Sequence, residues 1–183
     1  MLFYHGTNEV IGGIDFLKSR LRTDFGRGFY LSSEFDTARD WAMGKAGFSG
    51  VATVMRYEIC DSLFNDDALN YKKFAAPSIE WLDFISDNRQ RNIGKKGLKE
   101  PRHYFDVVTG PIANDKVADV VDMYCKGKLT AEKAIEGVKA LPSVIQMSFH
   151  TIQAFKHIQS VTYSQLEKSK WSKWRLINET PRQ

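Results

Sequence analysis

Hydrophobic and polar positions change period several times along the chain, and each change predicts an element. Segment 2–7 (LFYHGT) reads as a short strand, and a loop carrying Gly12 and Gly13 follows it. Segment 28–33 (GFYLSS) is a second strand. Ser33-Glu34-Phe35-Asp36 then resembles a capping box, with Phe35, Ala38, Trp41 and Ala42 at helical spacing behind it. That pattern predicts a helix of about a dozen residues. Residues 51–60 (VATVMRYEIC) are rich in β-branched and aromatic types and predict a core strand.

Pro77-Ser78 starts a helix that runs through Arg89, with Ile79, Leu82 and Ile85 on one face. Segment 105–109 (FDVVT) predicts a strand closed by Gly110-Pro111. Val117, Val120, Val121 and Tyr124 mark an amphipathic helix ending at Gly127. Another helix starts at Thr130, with the stripe Ala131, Ala134, Ile135 and Val138, and Pro142 breaks it. Residues 143–149 (SVIQMSF) predict a strand, 151–158 a short helix and 160–166 (SVTYSQL) a final strand. Five or six strands interleaved with short helices predict an α+β fold, a mixed sheet flanked by helices, and not a doubly wound parallel sheet. Without repeats, low-complexity tracts or a Pro/Gly/Ser linker, residues 1–183 are expected to form a single domain.

Composition narrows the class without naming an activity. The chain has 183 residues, 43% hydrophobic and 26% charged, ordinary for a globular protein. It holds no apolar run of the roughly 18 residues that a membrane span needs. It starts MLFYHGT, with no basic region ahead of an apolar one, so no export signal is expected. Cys60 and Cys125 are too few for a disulfide framework. Together these predict a reducing, cytoplasmic setting without membrane partners. Net charge is +4, from 26 basic and 22 acidic residues, and the excess is concentrated at 89–102 and 168–175. Such clusters read first as a solvated loop and tail, and second as a guide for phosphates or nucleic acid.

Three features carry candidate chemistry. Tyr4-His5-Gly6-Thr7 puts an imidazole beside a bare glycine on the opening strand, where a ligand can approach the backbone closely. Asp24-Phe25-Gly26-Arg27-Gly28-Phe29-Tyr30-Leu31 is a sharp entry into a strand presenting Tyr30. Trp41 follows on the helix. Each alone reads as structure: a strand-end histidine, a turn before a core tyrosine, a core tryptophan. Together they resemble the ADP-ribosyltransferase superfamily of the poly(ADP-ribose) polymerase type. In that family a His-Gly-Ser/Thr strand precedes F-G-x-G-[IF]-Y-[FL], and a helix with a second aromatic follows. Here the match is His5-Gly6-Thr7, then Phe25-Gly26-Arg27-Gly28-Phe29-Tyr30-Leu31, then Trp41 at the corresponding interval.

The resemblance implies an ADP-ribosyltransferase-like split sheet and NAD as co-substrate. His5 would hydrogen-bond the adenine-side ribose, the Gly6 backbone would pair with the nicotinamide carboxamide, and Thr7 would add a hydroxyl. Tyr30 and Trp41 would sandwich the nicotinamide ring, a fitting use of aromatic faces for a cationic heterocycle. The family usually supplies a glutamate on a late strand. The counterpart here is Gln146, which can accept from a ribose hydroxyl but cannot act as a general base. Ala38 stands where the family carries a small serine. These departures point to single transfer or hydrolysis of NAD, or to a catalytically silent NAD- or ADP-ribose-binding module, and away from polymer synthesis. The GPIANDKV and Q-x-S-F-H-T segments are similar to a group of bacterial relatives that often look like toxins of toxin–antitoxin pairs. That implies a protein or nucleic-acid acceptor and a neutralising antitoxin protein.

Other candidates rank lower. His103 falls at the end of the basic loop, His157 on a helix surface, and His150 at a strand end where it could face the cleft. Glu34 and His150 are the alternative bases, and Asn114 and Asp115 read as a helix N-cap pair. Histidines and cysteines do not cluster at ligand spacing, so no metal site is expected.

Overall fold

Eight segments of the chain join one sheet. The computed structural model describes residues 1–21, 23–47, 50–90, 103–113, 115–139, 141, 144–168 and 173–180. The strands are β1 (Leu2–Thr7), β2 (Phe29–Ser32), β3 (Val51–Ile59), β4 (Tyr71–Lys73), β5 (Val107–Pro111), β6 (Ile145–Phe149), β7 (Ile158–Lys168) and β8 (Trp174–Glu179). The helices are α1 (Phe35–Ala46), α2 (Ile79–Gln90), α3 (Asp115–Cys125) and α4 (Ala131–Lys139). Strand order is β4-β5-β6-β2-β1-β3-β7-β8, and β4 with β5 is the parallel pair in an otherwise antiparallel ladder. The fold is therefore α+β with a mixed sheet.

Helices cover one sheet face. Ala38 and Ala42 of α1 pack on Ala52 and Val54 of β3. Trp81, Leu82 and Ile85 of α2 pack with Val117 and Val121 of α3, with Ala134, Ile135 and Val138 of α4, and with Val108 of β5. The opposite face carries Phe3, Phe29, Leu31, Met55, Tyr57, Met147 and Phe149, covered by Ile11 and by Phe16 and Phe155 of two 3-10 turns. No helix among the described residues is long and apolar enough to cross a membrane.

Several element ends differ from the sequence expectation, each for a local reason. The capping box does not form: Glu34 is the N-cap of α1 and makes no side-chain cap bond. Ser33 Oγ instead accepts the Ile145 N–H across to β6 at 3.2 Å. In α2 the buried apolar positions are Trp81, Leu82 and Ile85, whereas Ile79 is exposed, because the start of the helix overhangs the core. Strand β5 begins at Val107 and runs through Gly110-Pro111 instead of stopping before them. Asp106 is held back in the loop, accepting the Asn70 N–H and the Thr151 hydroxyl. The 151–158 helix is a 3-10 turn over Gln153–His157. Strands β4 and β8 have too few alternating apolar positions to be read from sequence; β8 falls partly in the basic tail. Helix α3 ends as expected, with Gly127 at φ 68° and the Lys128 N–H on the Met123 carbonyl. Pro142, Asn114 and basic residues 91–102 lie outside the described residues.

One seam divides the sheet. Strand β1 runs beside β3 through six consecutive residue pairs, Leu2↔Glu58 to Thr7↔Thr53, and β2 beside β6 through four. Between β1 and β2 the ladder is a single pair, Tyr4↔Ser32. Two four-stranded halves, β4-β5-β6-β2 and β1-β3-β7-β8, thus meet at one bridge.

Candidate functional site

The seam brings His5-Gly6-Thr7 beside the 23–30 turn. Met1 and Ile59 exchange both backbone bonds, each at 2.7 Å. In an antiparallel ladder, bonding alternates by residue. Phe3, His5 and Thr7 therefore aim their peptide groups at β3, while Leu2, Tyr4 and Gly6 aim theirs at β2. For Gly6 that means a donor and an acceptor turned toward the seam, beyond the last bridge. Its missing side chain has a separate cause: a Cβ there would lie 2.0 Å from the Ala38 carbonyl oxygen of α1. The glycine lets the helix rest on the strand.

His5 fills part of the seam. Its Nδ1 lies 2.7 Å from the Tyr30 carbonyl oxygen, and its ring stacks on Phe29 at 4.5 Å. A carbonyl only accepts, so Nδ1 carries the hydrogen and Nε2 presents a lone pair. Burial pushes the imidazole pKa down to about 4, with Lys45 adding to the effect. At neutral pH His5 is an uncharged hydrogen-bond acceptor. Thr7, on the same strand, is buried.

Tyr30 is an anchor of the turn as well as a ring beside the seam. Its hydroxyl accepts the Phe25 N–H at 2.9 Å and donates to the Gly26 carbonyl at 2.7 Å. Burial raises its pKa far above the usual tyrosine range, so it stays a neutral phenol. Its ring stacks on Phe25 with centroids 6.3 Å apart. Trp41 is half exposed on α1, with the Arg20 guanidinium 4.8 Å over its ring. The two rings proposed to sandwich a ligand do not touch each other.

Histidines that were ranked low pin the same turn. His103 Nε2 donates to the Phe25 carbonyl at 2.7 Å, and His150 Nδ1 donates to the Arg27 carbonyl at 2.8 Å. Thr23 and Tyr30 both donate to the Gly26 carbonyl between them. The carbonyls of Phe25, Gly26 and Arg27 are thus all held by side chains. The remaining nitrogens follow: His103 Nδ1 accepts the Phe105 N–H, and His150 Nε2 accepts the Ser148 hydroxyl at 2.9 Å. Burial lowers both histidines' pKa, that of His150 to about 4. His103 is therefore buried structure and not part of an exposed basic loop, and His150 is committed to the turn. Although Ser148 and His150 are spaced like a nucleophile and its base, Ser148 is fully buried. His157 is also engaged, bonding Asp66 at 2.9 Å.

Gln146 is buried on β6, where it pairs with Ser32 of β2 and Gly110 of β5. Its Nε2 donates to Asp24 Oδ2 at 2.8 Å, which leaves Oε1 as its accepting end. Asp24 also accepts from Arg89 at 2.7 and 3.1 Å and from the Ala113 N–H at 3.0 Å. Sequence reasoning missed Asp24 and Arg89 because Asp24 reads as a turn residue and Arg89 as part of a basic loop. By strand alternation, Gln146 shares the helix-covered face with Tyr30, whereas the His5 ring belongs to the other face. The structure unites His5 with the Tyr30 backbone and sets Gln146 in a separate charged network behind the turn.

One atom in this region is not satisfied. Arg27 Nε is buried without a hydrogen-bond acceptor, the sole such side-chain atom among the described residues. An unmade bond of this kind costs about 1–3 kcal/mol. Among the described residues, no group of three or more histidine, cysteine, aspartate or glutamate side chains is arranged to hold a metal ion.

No curated protein matches the chain, and no solved structure matches it. A family model described as "Protein of unknown function (DUF3990)" matches residues 1–160. With its seam, its pinned turn and most of its length inside that match, the chain belongs to the DUF3990 family.

Proposed function

We propose that the chain binds NAD along the β1–β2 seam, cleaves its nicotinamide–ribose bond and transfers ADP-ribose to a macromolecular acceptor. The observation carrying this reading is the single bridge between β1 and β2, with the His5 imidazole and the Gly6 peptide groups turned into the gap. A carboxamide can pair with the Gly6 donor and acceptor as a neighbouring strand would. The His5 Nε2 lone pair can accept a ribose hydroxyl. Tyr30 and Trp41 offer ring faces to the nicotinamide, and Thr7 a hydroxyl. These contacts accord with the resemblance of His5-Gly6-Thr7 and Phe25–Leu31 to ADP-ribosyltransferases, whose fold is a split sheet.

In the reaction, the ribose–nitrogen bond breaks and its electron pair leaves with nicotinamide, discharging the ring. The ribose becomes oxocarbenium-like, a transition state familiar from glycosidases. An acceptor nucleophile bonds to the ribose carbon; a carboxylate or phosphate oxygen has no proton to lose, and a protonated acceptor releases its proton to water. Holding donor and acceptor groups in place beforehand is the protein's contribution. For Gln146 Oε1 to orient the nicotinamide ribose, the ribose must reach the helix-covered face behind the turn; the amide takes no proton, so a carboxylate, a phosphate or a base nitrogen suits the acceptor better than a serine hydroxyl. The acceptor is a protein or a nucleic acid in the cytoplasm, and the activity fits a toxin restrained by an antitoxin protein.

A second reading is a silent NAD- or ADP-ribose-binding module, or an NAD glycohydrolase. It is favoured by Gln146, whose amide is tied to Asp24 and which supplies no charge. The purified chain incubated with NAD separates these. Nicotinamide release that requires His5 supports an enzyme, with or without acceptor labelling. Binding without release supports the module, and neither binding nor release removes both readings.

A further inference from the structure

Arg27 stands apart from the charged groups packed around the 23–30 turn. Asp24 is matched by Arg89, Asp106 is held by Asn70 and Thr151, and His103 and His150 favour their neutral forms. Arg27 makes no ion pair or hydrogen bond through its side chain among the described residues, and its Nε is buried without an acceptor. Yet its backbone is fixed. Its own carbonyl is held by His150, and those of Phe25 and Gly26 by His103, Thr23 and Tyr30. On its C-terminal side a Cβ at Gly28 would meet the His150 ring at 2.8 Å, so that ring packs directly on the chain. Two residues beyond Arg27, Phe29 stacks on His5. A guanidinium without a counter-charge among the described residues, carried on a rigid turn next to a gap in the sheet, is preorganised to receive an anion.

We propose that Arg27 holds the pyrophosphate of a dinucleotide lying along the seam. This rests on the NAD reading above and adds the residue that recognises the phosphates. A guanidinium fork matches phosphate oxygens in pairs, and such charge-assisted bonds are stronger than neutral ones. The bound anion would pair with the terminal guanidinium nitrogens, which unlike Nε are not buried. The nicotinamide end would then lie toward Gly6, with the phosphates toward the turn.

Calorimetric titration of the full chain with ADP-ribose, adenosine and inorganic pyrophosphate, for the parent, Arg27→Gln and Arg27→Lys, tests this. Arg27→Gln is expected to weaken ADP-ribose by about tenfold or more. It should flatten the salt dependence of binding and leave adenosine unchanged. Arg27→Lys keeps the charge and should lose less; circular dichroism and melting temperature establish that each variant folds. ADP-ribose bound equally by the parent and a folded Arg27→Gln overturns the proposal while leaving the NAD reading intact. Arg27-dependent binding of pyrophosphate without any binding of ADP-ribose or NAD removes the dinucleotide and keeps only an anion site. No binding of any phosphate by the parent overturns the proposal outright.

Discussion

The Nδ1 atom of His5 sits 2.7 Å from the carbonyl oxygen of Tyr30, across the gap where β1 and β2 have stopped pairing. This bond fixes the ring and leaves Nε2 as an acceptor. Replacing His5 with Ala should abolish nicotinamide release and weaken NAD binding. His5→Phe keeps the stacking on Phe29 but not the lone pair, so it should retain more of the melting temperature and none of the turnover. Normal turnover in His5→Phe would take His5 out of the site.

Tyr30 requires a subtler substitution than truncation, because its hydroxyl closes the turn. Tyr30→Phe removes a bond to the Phe25 N–H and another to the Gly26 carbonyl. Unfolding in urea should show a loss of about 1–3 kcal/mol, the range for a buried polar group left unpaired. The ring is kept, so any NAD stacking should survive where the turn stays folded. A loss of NAD affinity far beyond the loss of stability would give the hydroxyl itself a ligand role.

Acid should weaken the fold through His5 and His150. Each titrates near 6.5 in the unfolded chain and at about 4 in the folded one. Between those values the unfolded chain binds protons that the folded chain excludes. Stability is therefore unaffected by these groups above pH 6.5 and falls as pH drops toward 4. The slope is about 1.4 kcal/mol per pH unit for each histidine. Denaturation at pH 7, 6 and 5 measures it, and His150→Asn should flatten the profile.

Gln146 now has two roles to separate. Gln146→Ala should lower the rate of nicotinamide release by roughly 10²–10³, the cost of one transition-state hydrogen bond. It also takes a donor from Asp24, so a fall in melting temperature is expected. Gln146→Glu would set a second carboxylate against Asp24, raising the pKa of one of them. The folded variant then holds a proton that the unfolded chain releases above about pH 4.3, so relative to the parent it should lose stability as pH rises. A variant with the parent's pH profile would mean that residue 146 has turned away from Asp24.

The sequence carried the sheet better than it carried the site. Strand β1, the dozen residues of α1 and the stripe of α4 follow from residue type and spacing, which are local signals. Strands β4 and β8 were not legible, since their pairing depends on β5 and β7 and not on their own composition. At the site, His5, Gly6 and Tyr30 stood out through a motif. The network of Asp24, Arg89 and Gln146 spans separations of 65 and 122 residues, so no local pattern could report it. The anchoring roles of His103 and His150 were not legible either, because the partners they hold are backbone carbonyls, which every residue has.

The narrow junction between β1 and β2 also sets how the backbone exchanges its hydrogens with solvent. Amides of Phe3, His5 and Thr7 sit in the long β1–β3 ladder and should open only with that half of the sheet. The Gly6 amide faces the junction, past its one bridge, and should exchange at a far lower opening free energy. In deuterium exchange, neighbouring residues of a single central strand would then alternate between slow and fast, with Gly6 fast. A ligand seated on that edge would erase the alternation, slowing Gly6 and leaving His5 and Thr7 as they were.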